Sequence, residues 1–267
     1  MKKLIALSLA AVLALSIVGC SKGEETDNDN ANNEAVVGDE LVYNDFEYGV
    51  NEEGNFEIVG YTYSGADAVS IVIPDSIDER PVTGIADDAF KAVSTISSVT
   101  IPASIKYIGD FAFYNCTGLT AVTLPDSVTS VGTGAFWGCS ELTTVTLSKS
   151  LGSLGDYAFW NCEKLSAITL PESLETVGEG AFWNCKSLKE VSVPVAVKSV
   201  GRGAFIYCEA LEKAQFLSAT VELGEGAFDH CPDTLVIVGP ADDCTAKQLA
   251  DAEGRTFKTF AELEAAE

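Results

Sequence analysis

The sequence predicts a mostly β solenoid in which one short unit is stacked on itself along the chain. The dipeptide Ala-Phe occurs at 89–90, 112–113, 135–136, 158–159, 181–182, 204–205 and 227–228, an unbroken interval of 23 residues. Cys116, Cys139, Cys162, Cys185, Cys208 and Cys231 keep that period, as do Gly109, Gly132, Gly155, Gly178, Gly201 and Gly224. Self-similarity at such a spacing marks a stack of turns, each burying its apolar face on its neighbours. Composition agrees: a chain of 267 residues that is 47% hydrophobic can build a core. The net charge of −24 argues against nucleic acid, whose phosphates require Lys and Arg. A single His, His230, leaves little room for Ser/His/Asp or Cys/His catalysis or for a multi-His metal site.

Taken in chain order, Lys2 and Lys3 precede an apolar run from Leu4 to Gly19. As a helix it would rise about 24 Å, short of a membrane span, so residues 1–19 read as an export signal. Its end, Ile17-Val18-Gly19-Cys20, is similar to a bacterial lipobox, which implies lipidation of Cys20; an ordinary signal peptide with an incidental Cys is the alternative. Ser21 to Glu40 carries seven acidic residues and no aromatic one, and reads as a disordered tether with a reach near 25 Å. Residues 41–267 then form one domain. Leu41 to Tyr63 reads as a hairpin, with strands Phe46 to Val50 and Phe56 to Tyr61 around a turn at Asn51 to Gly54. Residues 41–88 therefore make an N-terminal cap and an irregular first turn, which carries a five-residue insertion around Asp78 to Pro81.

Within each regular turn of residues 89–231, Leu-x-x-Val-x-Leu alternates with period 2 and should be a short strand, usually closed by Pro. Stacking places these strands in a parallel sheet on one face. Gly-x-x-Ala-Phe-x-x-Cys supplies the opposite wall as turns or short 3₁₀ pieces. Residues 232–267 are a C-terminal cap, with a helix over Thr245 to Glu253 stopped by Gly254, then a strand over Thr256 to Phe260.

The unit Val-Gly-x-x-Ala-Phe-x-x-Cys-x-x-Leu-x-x-Val-x-Leu-Pro-x-Ser-Val resembles the BspA-like, treponemal-type leucine-rich repeat over roughly residues 58–240. Ser148 and Leu217 replace the Pro of Pro102, Pro125, Pro171 and Pro194, and Val93 stands where later turns have Cys. The resemblance implies a leucine-rich-repeat solenoid with an adhesion or protein-binding role towards host matrix or other cell-surface proteins. The expected setting is the bacterial cell envelope, with the chain lipid-anchored, extracytoplasmic and monomeric.

Two surfaces are candidate binding sites. All three Trp fall in register, and Tyr114, Trp137, Trp160 and Trp183 form a row that is either indoles packed over one another or an exposed stripe for sugars. The second is the sheet face, where Thr123, Thr144, Thr146 and Thr169 head a hydroxyl-rich, nearly uncharged strip that plain strand propensity also explains. The alternative function is a carbohydrate-binding lipoprotein using the aromatic row. The six periodic cysteines are read either as a ladder of buried thiols or as disulfides or metal ligands, and Cys244, outside the period, is expected to be the reactive thiol. No catalytic constellation, cofactor motif or complete metal set is found, so an enzyme is not expected.

Overall fold

The computed structural model describes residues 40–41 and 45–265. The export signal, Cys20 and most of the acidic tether lie outside these residues.

Each turn of the stack contributes to three walls. The first is the expected strand wall, built by Val69–Val72, Ile96–Thr100, Ala121–Thr123, Thr144–Thr146, Glu190–Val193, Lys213–Phe216 and Val236–Gly239. Neighbouring strands pair in parallel, with Val122 beside Val145 and Val191 beside Ala214, one repeat apart. Period-2 alternation buries Val122 and Val145 and exposes Ala121, Thr123, Thr144 and Thr146.

The second wall differs from expectation. The two residues before each Gly form strands as well: Tyr107–Ile108, Ser130–Val131, Ser153–Leu154, Thr176–Val177, Ser199–Val200 and Glu222–Leu223. They pair in parallel one turn apart and join the N-terminal hairpin in a ten-stranded sheet. Two residues are too few for a visible alternation, so pattern alone does not reveal them. At Gly178, which follows one of these strands, the next turn comes so close that a Cβ would stand 2.5 Å from the backbone of Gly155.

The third wall carries Ala-Phe-x-x-Cys as turns. Three backbone bonds cross each interface, illustrated by Gly134 N–H to Asp156 O (2.8 Å), Phe136 to Ala158 (2.8 Å) and Gly138 to Trp160 (2.7 Å). Two left-handed residues per turn aim these donors along the stack. One precedes Ala and the other follows Ala by three, as with Gly134 (φ 57°) and Gly138 (φ 77°), or Tyr157 (φ 58°) and Asn161 (φ 60°). Gly and Asn adopt positive φ most readily and recur in those rows, although Asp88, Ala92, Phe111, Tyr157, Tyr207 and His230 hold it as well. Inside the wall, Phe90, Phe113, Phe136, Phe159, Phe182, Phe205 and Phe228 stack with centroids 4.8 to 5.6 Å apart and are fully buried. Burial of each ring contributes about 1.5–3 kcal/mol.

The caps follow the sequence reading closely. Strands Phe46–Val50 and Phe56–Tyr61 pair antiparallel, and Phe46 and Tyr61 cover the first stacked ring, Phe90. The five-residue insertion is a small hairpin in which Ser76–Ile77 pairs with Arg80 and Pro81, with Asp78 and Glu79 both at positive φ. That is the geometry of the tight turns that suit strand twist. At the other end the helix spans Thr245–Glu253 and stops at left-handed Gly254. Thr256–Thr259 follows as a strand. A further short helix, Phe260–Glu264, replaces the last residue expected in that strand and is held by a capping box between Thr259 and Glu262.

Arg255 closes the stack. In every regular turn the Cys thiol donates to the Phe carbonyl of the preceding turn, as Cys231 Sγ does to Phe205 O at 3.1 Å. The next position of that row is Gly254 rather than Cys, and Arg255 donates instead, to Phe228 O at 2.8 Å and Pro232 O at 2.9 Å.

Candidate functional site

The two candidate surfaces lie on different walls and do not converge. Thr123, Thr144, Thr146 and Thr169 are exposed on the strand wall. Among the described residues the hydroxyls of Thr123, Thr146 and Thr169 make no intramolecular hydrogen bond, whereas those of Thr120 and Thr143 bond back to the preceding turn's carbonyls. At Thr123 and Thr146 the strip therefore presents free donors and acceptors on paired strands, whereas Thr169 lies outside any strand.

This wall is not continuous. Its ladder stops at Thr144–Thr146 and resumes at Glu190–Val193, dividing it into sheets of five and four strands. Residues 167–169, between them, make no backbone hydrogen bonds, although Ile168 still faces the core. Phe159 and Phe182, at this level, have the widest ring spacing in the stack, 5.6 Å. A shallow concavity of about 370 Å³ opens here, bounded by Ala167, Lys189, Glu190, Lys213 and Gln215.

On the turn wall, Tyr114, Trp137, Trp160 and Trp183 are half-buried. Trp160 stacks on Trp137 at 4.2 Å and 14°, and on Trp183 at 5.0 Å and 19°. Tyr114 meets Trp137 edge-on at 5.3 Å. The indoles thus cover one another's faces, the first of the two arrangements considered for the row. Phe111 and Tyr157 widen it, each holding positive φ with its ring over the Gly one turn on. A Cβ on Gly134 would reach Phe111, and one on Gly180 would reach Tyr157. This alternation of ring and glycine was not read from the sequence. Its signal is the row Phe111, Gly134, Tyr157, Gly180 directly before each Ala. Tyr157 donates to Glu179 at 2.5 Å, and that bond beside a carboxylate pushes the phenol up to about 12.

The periodic cysteines are free and buried, as the thiol-ladder reading has it. Equivalent side chains point the same way, and each thiol meets a main-chain carbonyl of the preceding turn; Cys208 and Cys231 also approach each other. Burial pushes the Cys116 thiol up to about 12 and raises Cys139, Cys162 and Cys208 well above the ordinary range. The expectation for Cys244 is corrected. It is fully buried, at the residue before the C-terminal helix, with its sulfur in the space that Gly239 leaves by lacking a side chain.

His230 is exposed and stacks on Tyr207 at 4.4 Å. Among the described residues no three His, Cys, Asp or Glu are grouped to hold a metal ion, and no helix is long and apolar enough to cross a membrane. The charges form ladders instead: Lys149, Lys164, Lys186, Lys198 and Lys213 each reach the carboxylate 23 residues earlier, at 2.5 to 3.7 Å.

A stack of 23-residue turns with Leu, Val and Phe inside and a parallel sheet along one wall is a leucine-rich-repeat solenoid. The sequence matches the BspA type leucine rich repeat region over residues 56–151 and 110–235, in six copies, and the chain belongs to that family. It is similar to a leucine rich cell surface protein of Faecalibacterium prausnitzii, at 32% identity and a TM-score of 0.65. That match covers 77% of this chain and 55% of the other, so the chain spans little more than half of that relative. A leucine rich repeat protein of T. pallidum is 26% identical with a TM-score of 0.52, over 82% of this chain and 98% of that one. No curated protein matches. Family membership supports a repeat scaffold for binding rather than for catalysis.

Proposed function

We propose that this chain is a surface lipoprotein, anchored through Cys20 and held off the membrane by the acidic tether, that adheres to a protein partner through its strand wall. The observation that carries this reading is the strip of Thr123, Thr144, Thr146 and Thr169, exposed and uncharged on a protein of net charge −24. Centres of protein interfaces are depleted in charge, and side chains such as Thr123, Thr144 and Thr146 on paired strands need little reordering to bind. The name of the Faecalibacterium relative, a cell surface protein, supports the same setting. The aromatic row gives sugar capture less support, because a sugar ring stacks on a free aromatic face and these faces are covered by one another.

Two experiments test this. Binding of the chain to an array of matrix and cell-surface proteins should be lost when Thr123, Thr146 and Thr169 are changed to Lys. Binding that persists in this variant moves the site off the strand wall. Cys20→Ser should release the protein from the membrane fraction, and a variant still anchored and unprocessed to the same degree refutes the lipid attachment.

A further inference from the structure

Three features mark one level of the stack. The main chain of residues 167–169 makes no ladder bonds to the turn on either side. The side-chain stitching of that wall ends there too. Ser97, Thr120 and Thr143 occupy one row, and each donates its hydroxyl to a carbonyl of the preceding turn at 2.9 to 3.1 Å. Among the described residues Ser166, next in the row, finds no such partner. Third, Phe159 and Phe182 stand 5.6 Å apart, against 5.3 Å for the ring pairs before and after them.

Each side of this level is held together within itself. Ser98 donates to Ser70 at 2.8 Å in the five-stranded sheet, and Lys213 pairs with Glu190 at 2.8 Å in the four-stranded one. The other two walls pass through the same level intact. Ser153–Leu154, Thr176–Val177 and Ser199–Val200 pair in succession. On the turn wall the N–H groups of Phe159 and Asn161 reach Ala181 O and Trp183 O at 2.8 and 2.9 Å.

The side chains do not forbid the missing ladder. Ala167-Ile168-Thr169 differs by a single methylene from Ala121-Val122-Thr123, which pairs on both sides. Where the ladder is absent, the concavity beside Ala167 and Val191 admits water to the freed N–H and C=O groups. Exchanging a protein partner for water changes the free energy little per bond. The same residues therefore have two arrangements of similar free energy, one paired and one solvated.

We propose that the strand wall opens and closes at Ala167 to Thr169, and that the solenoid bends there about its two intact walls. The bonded turn wall and second wall act as the spine, and the two sheets of the strand wall move as the flanking bodies. The exposed strip crosses this level between Thr146 and Thr169, so the bend sets its curvature. A partner gripping both sides fits one curvature better than the other and shifts the balance towards it. That consequence rests on the adhesion reading, whereas the hinge itself does not.

The test is double electron–electron resonance on the full chain, with spin labels on pairs of introduced cysteines and Cys20→Ser in every sample. The native cysteines of the repeat are buried and stay unlabelled. Thr123→Cys with Ser192→Cys spans the level on the strand wall. Thr129→Cys with Lys198→Cys spans the same turns beside the second wall, and Val72→Cys with Thr146→Cys spans three turns within the five-stranded sheet. All of these positions are exposed, so the labels leave the core intact. The first pair should give a distance distribution roughly twofold broader than either of the others, as a hinge between two rigid bodies requires. Equal widths overturn the inference. So does a broad distribution in either of the other pairs, because the whole wall or the whole stack then yields. No partner is present in these measurements, so failure here is separate from failure of the adhesion reading.

Discussion

The strand wall and the turn wall are built by the same turns, yet one is broken and the other is continuous. On the turn wall, cross-turn backbone bonds run without a gap from Asp88 to Tyr207 as donors, with stacked rings and thiols behind them. On the strand wall the ladder fails at residues 167–169. The turn wall fixes the stack through fully buried Phe and through left-handed residues that aim its donors. The strand wall buries one residue in two and leaves the others to solvent. Stability is thus concentrated on the side with the least freedom to vary, and the exposed strip on the other side can change with little effect on the fold.

The comparison can be broken most directly at Phe159. Phe159→Ala should lower unfolding free energy by about 3–5 kcal/mol in urea titration, since the cavity lies between two stacked rings. A loss below about 1 kcal/mol would mean the turn wall does not dominate. High pH attacks the same wall. An unfolded thiol ionises near pH 8.5, whereas burial holds Cys116 protonated up to about 12. The raised values help nothing below the unfolded pKa and leave stability intact there. From about pH 8.5 towards 12 only the unfolded chain releases protons, so stability should fall steadily. Changing Cys139, Cys162 and Cys185 to Ala should make that fall shallower, measured by melting temperature against pH.

Smaller effects follow. Asn161→Ala places a Cβ-bearing residue without a local polar side chain at φ 60°, which should cost about 1–2 kcal/mol. Its Gly replacement should cost less. On the strand wall, hydrogen exchange should show the amides of Ala167 to Thr169 opening roughly tenfold faster than those of Ala121 to Thr123, which have ladder partners. Equal rates would mean that the ladder is continuous in solution. Least of all, Thr146→Ala should change stability by no more than about 0.5 kcal/mol, because the side chain is exposed and makes no internal bond.

Much of this fold is legible from the period alone. Strand residues such as Val122 and Val145, the hairpin around Asn51 to Gly54 and the helix ending at Gly254 all follow from alternation and turn chemistry. The second sheet was not legible, because strands such as Ser130–Val131 have no pattern of their own and exist through their neighbours. Nor was the role of Arg255, whose partners lie 23 and 27 residues away, the farther one, Phe228 O, in a row of carbonyls otherwise served by cysteine. At the candidate surfaces, the sequence located the Thr strip and the Trp row but not which aromatic faces would be free. It read Cys244 as accessible because it lies off the period, whereas packing over Gly239 decides its exposure. The insertion was visible as a length, but its form as a hairpin turning through Asp78 and Glu79 at positive φ was not.

Arg255 also bears on how such a chain changes length. The side chain recognises two main-chain carbonyls, and the Phe carbonyl at least recurs in every unit whatever its side chains. An anchor that reads main-chain carbonyls can follow any number of copies. Duplication or loss of a 23-residue segment upstream would leave this end piece fitting as before. The reach of the molecule could then be set by recombination, independently of the residues that choose its ligand.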